Sequence, residues 1–345
     1  MAAGPVRDAA EHDRRWATVL DHLAAALPER AARVVVDGTD SAAALLADRL
    51  AERLHAADRH CVRLTAAAGV AEDDGWAVRS AGRVVIADGG RWRDRLPSDS
   101  WDLTVWVRTP PAAASGEYRG EDADAVVDLH DRAWPVIRHL DPRLVPGDVW
   151  YRTESQAFFA ARAATWDTRF GDDGPAYAAA VAEAGLRPGG AVLDLGCGTG
   201  RALPALRDAV GAHGTVLGAD LTPQMLDAAR DRARTCAATL LLADARRLPF
   251  ADAGLDAIFA AGLITHLPDP AAGLAELARV TRAGGRLVLF HPSGRAALAA
   301  RHGRTLRPDE PLAEPVLRAV TGRTGWQLVS YDDPPHRFHA VAVRR

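Results

Sequence analysis

Apolar residues in this chain gather in short runs that end at Gly or Asp, separated by longer stretches where Leu, Ala and Val recur at helical spacing. Ala32-Arg-Val-Val-Val-Asp-Gly38 predicts a strand entering a turn, followed by a helix from Ser41 to Ala57; an earlier amphipathic helix, Asp8 to Leu27, stops before Pro28. Further strands are predicted at Cys61–Leu64, Arg83–Ala87 and Leu103–Val107. In the second half the central run is Ala191-Val-Leu-Asp-Leu195, which enters Gly196-Cys-Gly-Thr-Gly200 and then a helix, Ala202 to Val210. Strands follow at Thr215–Asp220, Ala238–Asp244, Leu255–Ala261 and Arg286–Phe290, the last preceded by a tight turn at Gly284–Gly285. Helices are predicted at Thr153–Thr168 (N-cap Thr153 or Ser155), Pro175–Ala184, Pro223–Thr235 and Ala271–Thr281. Gln327–Tyr331 and Phe338–Val343 predict a closing antiparallel hairpin. Strands alternating with helices imply parallel α/β layers in both halves. Two prolines and a glycine in Leu140–Asp148 mark a junction, giving domains 1–145 and 146–345.

Composition narrows the function classes. A formal net charge of −3 leaves no basic footprint for nucleic acid. The N-terminal stretch is charged, and no apolar run approaches a membrane span, so a cytoplasmic protein with no membrane partner is expected. Cys61, Cys197 and Cys236 are too scattered for a disulfide framework or a zinc site. The chain contains no lysine and no asparagine, which excludes any mechanism needing a lysine amine.

The glycine spacing in the second half is G-x-G-x-G, with Asp194 at the strand end before it. A strand, glycine turn and helix in that order present backbone N–H groups to a ligand, and glycine lets the backbone approach where a Cβ would collide. A dinucleotide-type dehydrogenase needs G-x-G-x-x-G, which is absent. Asp220, about 20 residues further on, is placed to accept from ribose hydroxyls.

In the first half, Val34-Val-Val-Asp-Gly-Thr-Asp-Ser-Ala-Ala-Ala-Leu45, Val84-Val-Ile-Ala-Asp-Gly89 and Trp101–Val107 resemble the uridine-kinase-like branch of P-loop kinases. A working loop requires Gly, Lys and Ser/Thr where this chain has Ala43, Ala44 and Leu45. The resemblance therefore implies a degenerate P-loop domain without kinase activity; the alternative is a generic α/β domain that helps form a homodimer or shapes the second site.

The series VLDLGCGTG, Asp220, ADARRLPF, HLPDP and GGRLVLF, over roughly residues 155–345, resembles class I S-adenosylmethionine-dependent methyltransferases, in the small-molecule branch that includes the ubiquinone/menaquinone-type enzymes. The resemblance implies a Rossmann-like, seven-stranded sheet with its last strand antiparallel, and S-adenosyl-L-methionine as cofactor. It implies that Gly196, Gly198 and Gly200 line the methionine and ribose, with Asp194 beneath them holding the amino group. Asp220 would bind the ribose hydroxyls, and Asp244 with Ala245 the adenine amine. Leu221 and Leu248 would sandwich the adenine, while Ala260 and Ala261 border the reaction centre. Phe159, Trp166 and Phe170 are candidates for a lid, with Trp166 also a substrate contact.

Transfer from a sulfonium needs positioning and, for some acceptors, a base that titrates near neutrality. His266 and His291, just past the fourth and fifth strands, are the candidate catalytic residues. His291 opens a stretch to Gly303 that marks the acceptor pocket, where Arg295, Arg301 and His302 are candidates to hold an anionic or phenolic small molecule. Asp333-Pro-Pro-His336 lies in the terminal hairpin and is set aside as an amine-methylation motif; His336 and His339 lack a third ligand, so no metal is expected. The alternatives are a bifunctional kinase–methyltransferase, tested by ATP–Mg²⁺ binding, and a non-catalytic cofactor-binding scaffold, tested by turnover.

Overall fold

The computed structural model describes residues 9–29, 31–65, 82–89, 92–93, 96–109, 122–145, 149–302 and 304–345. The expected helix start at Asp8, the Pro146–Asp148 part of the junction and Gly303 lie outside them. The chain divides into two compact units, Met1–Glu154 and Ser155–Arg345.

The first unit opens with α1 (Ala9–Ala25), β1 (Ala32–Gly38) and α2 (Asp40–Ala56). It continues with β2 (Cys61–Leu64), β3 (Val84–Asp88), β4 (Leu103–Arg108), β5 (Ala125–Asp128) and β6 (Val136–Leu140). The strands form a sheet in the order β2-β3-β1-β4-β5-β6, parallel except for the β5–β6 pair. Leu46, Leu50 and Leu54, one helical turn apart on α2, are buried, as are Val34, Val35 and Val36 of β1. Asp37, Asp88 and Asp128 are buried at the C-terminal ends of β1, β3 and β5. Asp37 faces Arg93 at 3.5 Å, Asp88 faces Arg63 at 2.7 Å, and Asp128 lies 2.8 Å from the His130 ring. Strands β5 and β6 were not expected from the sequence. β5 is a brief apolar run between acids, and β6 carries Arg138 and His139, so neither gives a clear period-2 signal.

The second unit follows on α3 (Val149–Ala160), within which the division falls. Next come α4 (Trp166–Phe170), α5 (Gly174–Glu183), β7 (Ala191–Leu195), α6 (Leu203–Val210), β8 (Thr215–Asp220), α7 (Pro223–Thr235) and β9 (Thr239–Leu242). After them are β10 (Leu255–Ala261), α8 (Pro270–Val280), β11 (Thr281–His291), α9 (Arg295–Arg301), α10 (Glu314–Arg323), β12 (Trp326–Asp332) and β13 (Phe338–Arg344). The seven strands run in the order β12-β13-β11-β10-β7-β8-β9. Only β13 runs against its neighbours, pairing antiparallel with both β11 and β12. Val192, Leu203, Leu206, Phe259 and Phe290 meet in one buried cluster, and Trp326, fully buried, donates its indole N–H to Leu274 O at 2.9 Å. Because β7 lies between β8 and β10, the chain leaves it to one side and returns on the other. The loops at its C-terminal end therefore part and leave a crevice, the usual ligand position in an open α/β sheet.

The structure corrects four local expectations. The single helix Thr153–Thr168 is instead α3, a 3₁₀ turn at Ala163–Thr165 and α4, because Asp167 is drawn onto the glycine loop. Neither Thr153 nor Ser155 caps it, since both lie inside α3 and Thr153 Oγ1 donates to Val149 O. Gly284–Gly285 is not a turn before the strand but an irregularity within β11, which pairs Leu255 with Thr281 and then Ala257 with Arg286. β9 also ends at Leu242, which leaves Asp244 in a following bridge with Arg247.

Candidate functional site

Leaving β7, the backbone turns through Gly196, Gly198 and Gly200, whose φ values of +70°, +53° and +80° are left-handed. The amides of Gly196 and Cys197 donate to Ala219 O at 2.8 and 3.0 Å, tying the loop to β8. Asp220 completes the tie: Oδ2 accepts from Gly198 N at 2.9 Å and Oδ1 from Thr222 N at 2.8 Å. The carboxylate predicted to take ribose thus also braces the glycine loop.

Asp194, the penultimate residue of β7, is 2% exposed, and its Oδ2 is buried without a hydrogen-bond partner among the described residues. Burial, followed by the nearby negative charge of Asp220, pushes its carboxyl up to about 8. Asp220 is also raised by burial, against the lowering effect of its backbone donors. Two acids that resist ionisation together, one with an unclaimed oxygen, form a pair that a cationic group would satisfy. Cys197 beside them is no nucleophile: burial, then the charges of Asp194 and Asp220, raise its thiol well above the usual range.

The remaining adenine-side candidates surround β8 and β9. Leu221 O accepts from Gln156 Nε2 of α3 at 2.9 Å, so α3 reaches the loop after β8. Asp244 is gripped by Arg246, whose Nε lies 3.0 Å from Oδ1 and whose terminal nitrogen lies 2.6 Å from Oδ2. Ala245 and Leu248 are buried next to it, with Leu248 N donating to Glu276 Oε1 at 2.7 Å.

The aromatic candidates form a chain of contacts. Trp166 packs on Phe170 at 4.7 Å and on Phe159 at 5.8 Å, and Phe159 meets the His266 ring edge-to-face at 5.5 Å. The residue that anchors this chain was not legible in the sequence. Asp167 accepts from Thr199 Oγ1 of the glycine loop at 2.6 Å and from Arg201 Nε at 3.0 Å, and pairs with Arg232 at 2.6 Å. Burial alone would raise its carboxyl, but the Thr199, Arg232 and Arg201 bonds outweigh burial and lower it. Arg201 also pairs with Asp173 and donates to Gly171 O.

Past β10 and β11 lies a cavity of about 240 Å³, lined among others by Ala260, Gly262, Phe290, His291, Ser293, Arg295 and Glu310. His266, on the 3₁₀ turn Ile264–His266, stacks on Phe159 rather than lining it, as does Trp166 within the aromatic chain. His291 Nδ1 lies 3.0 Å from both the amide and the carbonyl of Ser293, so Ser293 orients the ring in either tautomer. Burial, against the Ser293 bond and with Arg301 adding repulsion, holds this imidazole below its ordinary value and neutral at pH 7. Gly294 abuts the terminal hairpin so closely that a Cβ would sit 2.0 Å from Pro334 O. That contact lets Asp333 Oδ1 accept from Arg295 N at 2.7 Å, so the Asp333-Pro-Pro turn anchors α9. Arg295 itself bonds Tyr331 Oη at 3.1 Å and Glu310 at 3.2 Å; Arg301 donates to Ser293 Oγ at 2.9 Å. Glu310 and Tyr331 had no sequence signal, because their role depends on contacts made far along the chain.

Among the described residues, no helix is long and apolar enough to cross a membrane, and no three metal-ligating side chains cluster.

Residues 193–289 match the methyltransferase domain family. An uncharacterized 37.1 kDa protein in transposon TN4556 of Streptomyces fradiae is 42% identical over 107 residues, 31% of each chain. The ubiquinone/menaquinone biosynthesis C-methyltransferase UbiE of Burkholderia mallei is 37% identical over 112 residues, 32% of this chain. The matched stretch spans less than half of each relative, 31% and 46% of their lengths. Among solved structures, a SAM-dependent methyltransferase from Aquifex aeolicus aligns with 52% of this chain and 96% of its own, at 23% identity and a TM-score of 0.44.

Proposed function

We propose that this chain, whose residues 193–289 form an S-adenosylmethionine-dependent methyltransferase domain, transfers a methyl group to a small-molecule acceptor in the cavity past β10 and β11. The observation that carries the reading is the buried Asp194–Asp220 pair at the glycine loop, with its unclaimed Asp194 oxygen. These residues fit the donor, which bears an ammonium and a sulfonium. Asp194 would face the ammonium, Asp220 the ribose hydroxyls, and the glycine loop the backbone of the ligand. Asp244 with Ala245, Leu221 and Leu248 would hold the adenine. When bound, S-adenosylmethionine supplies a methyl group already activated by its positive sulfur.

The chain then has to orient the acceptor, exclude water and take a proton where the acceptor has one. His291, neutral and fixed by Ser293, is the base within the cavity, and Ala260 leaves room beside it. His266 supports the aromatic cover through Phe159.

Residues 1–145 are read as a degenerate P-loop domain without kinase activity. In support, β2, β3, β1, β4 and β5 form a parallel α/β sheet, and Ala43 is buried where the phosphate loop would need its second glycine. The arginines at Asp37 and Asp88 also occupy the acids that such a site would turn toward a nucleotide-bound metal.

Calorimetric titration of the full chain is expected to give saturable binding of S-adenosylmethionine and none of ATP–Mg²⁺, with S-adenosylhomocysteine formed once an acceptor is supplied. No binding of S-adenosylmethionine overturns the reading. Heat on ATP–Mg²⁺ addition would restore the bifunctional alternative.

Asp167 gives a second test. Asp167→Ala removes the clasp between α4 and the glycine loop, so the dissociation rate of S-adenosylmethionine, read by stopped flow, should rise about tenfold, the worth of one or two charge-assisted bonds at a half-exposed position. An unchanged rate would mean that the clasp does not hold the cover in place.

A further inference from the structure

The Asp333-Pro-Pro stretch forms the turn between β12 and β13, and β13 pairs Phe338 with His291 at the end of β11. Beyond His291 the chain passes through Pro292, Ser293 and Gly294 into α9, and it meets that turn at three points. Gly294 N donates to Pro335 O at 3.1 Å. Gly294 also lies so close to Pro334 O that no side chain would fit between them. Arg295 N donates to Asp333 Oδ1 at 2.7 Å. The N-cap of α9 is Gly294, which has no side chain to accept from the first amides of the helix. Asp333 supplies that acceptor from 38 residues away. Its other oxygen lies 3.5 Å from Arg295 Nη1, a nitrogen that also donates to Tyr331 Oη at 3.1 Å.

The residue fixed by this anchorage is Ser293. It is buried, its amide and carbonyl both lie 3.0 Å from His291 Nδ1, and its hydroxyl accepts from Arg301 at 2.9 Å. Pro292 restricts the backbone on one side of it, and Gly294 is pinned to the hairpin on the other. The imidazole lines the cavity past β10 and β11, so whatever holds Ser293 also holds the ring there.

We infer that Asp333 is a positioning residue for His291: it caps α9 from the terminal hairpin and thereby holds the Ser293 peptide against Nδ1. Asp333 is itself outside the cavity lining and acts through α9. On the reading of His291 as the base, on which this consequence rests, the hairpin turn aims the base at the acceptor.

The charged groups that bear on the ring are Arg301 of α9, which disfavours the imidazolium, and Asp173 ahead of α5, which favours it; Arg295, Arg304 and Glu310 share the cavity wall. Burial is the largest influence and keeps the ring unprotonated. Loss of the cap frees the loop from the hairpin and lets water reach the ring, so its protonation midpoint should rise toward the ordinary 6.5. Loss of the Asp333 charge alone acts the other way, since a nearby anion favours the cation.

The test follows the imidazole NMR resonances of His291 through a pH titration of the full chain, the signal being assigned by its absence in His291→Gln. Asp333→Ala removes the cap, and Gly294→Ala forces the turn away from α9; each should raise the midpoint. Asp333→Asn keeps an oxygen for Arg295 N and should stay at or just below the parent value. Gly294→Ala serves where Asp333→Ala does not fold. A midpoint unmoved in the alanine variants, or raised equally by Asp333→Asn, overturns the inference. So does a fall in Asp333→Ala, which would make Asp333 a charge and not a cap. S-adenosylhomocysteine titrated into the same samples reports separately on the methyltransferase reading: its failure to bind overturns that reading, while the ring titration still decides the role of Asp333.

Discussion

Raising the pH from about 5 to about 8.5 should destabilise the ligand-free protein through Asp194, and Asp194→Asn should remove that part of the pH dependence. The folded-state carboxyl sits at about 8, pushed up by burial and by Asp220, against 3.8 for the free side chain. Between these two values the folded state holds a proton that the unfolded chain has lost. Stability is therefore greatest below the unfolded value, and it falls progressively until the pH passes the folded one. For a shift of this size the loss is on the order of a few kcal/mol, or several degrees of melting temperature in a domain of this size. His22, His139, His291 and His339 are all lowered by desolvation, and they act in the opposite direction as the pH falls. The informative quantity is thus the difference between parent and variant across the pH range. Melting curves with and without S-adenosylmethionine extend the test. A cationic ligand facing ionised Asp194 should stabilise the parent more at pH 8.5 than at pH 5, and this increment should vanish in Asp194→Asn. Parallel pH profiles in parent and variant would show that Asp194 is not held neutral and would remove the main support for a cation at this loop.

How much of this site could be read from the sequence follows from the range of the interactions. Gly196, Gly198, Gly200 and Asp194 are contiguous, and their geometry comes from local backbone requirements: left-handed turns and a buried strand end. Asp220 is one βα unit away, close enough for its spacing to carry information. The seven strands were legible as separate apolar runs, but their arrangement in one sheet with an antiparallel member came from the family resemblance and not from the local pattern. Asp167 could not be found in this way. Its partners Thr199, Arg201 and Arg232 lie more than thirty residues on, and the clasp they form breaks the helix that the local pattern predicts. Glu310 was hidden because it sits in a polar, proline-punctuated segment that reads as loop, and it acquires meaning only when α9 brings Arg295 against it. Arg295 was legible as a cation near the acceptor, but the sequence could not show that Glu310 and Asp333 pair with it.

His291→Gln should lower kcat by about 10²–10⁴-fold for an acceptor that must lose a proton, with KM changed little. The imidazole sits at the end of β11 in the cavity wall, its Nδ1 turned to Ser293, which leaves the other ring nitrogen for the ligand. Gly262 passes beside the ring at a φ of +66°, a conformation that a side chain tolerates poorly. Burial lowers the imidazole first; the Ser293 bond and Asp173 oppose this, and Arg301 reinforces it. A lowered histidine is unprotonated at neutral pH and gains its proton only in acid. With S-adenosylmethionine saturating, kcat should therefore be flat above pH 7 and fall as the pH drops below 6.5 through the folded-state value. The acid limb belongs to His291 and should be absent from whatever residual activity His291→Gln keeps. Arg301→Gln removes the repulsive charge and should move the limb to higher pH without abolishing turnover. That shift separates a base from a residue that merely fills the wall. If His291→Gln keeps its kcat within a few-fold and the acid limb persists, the acceptor needs no base from this chain, and His291 only shapes the cavity.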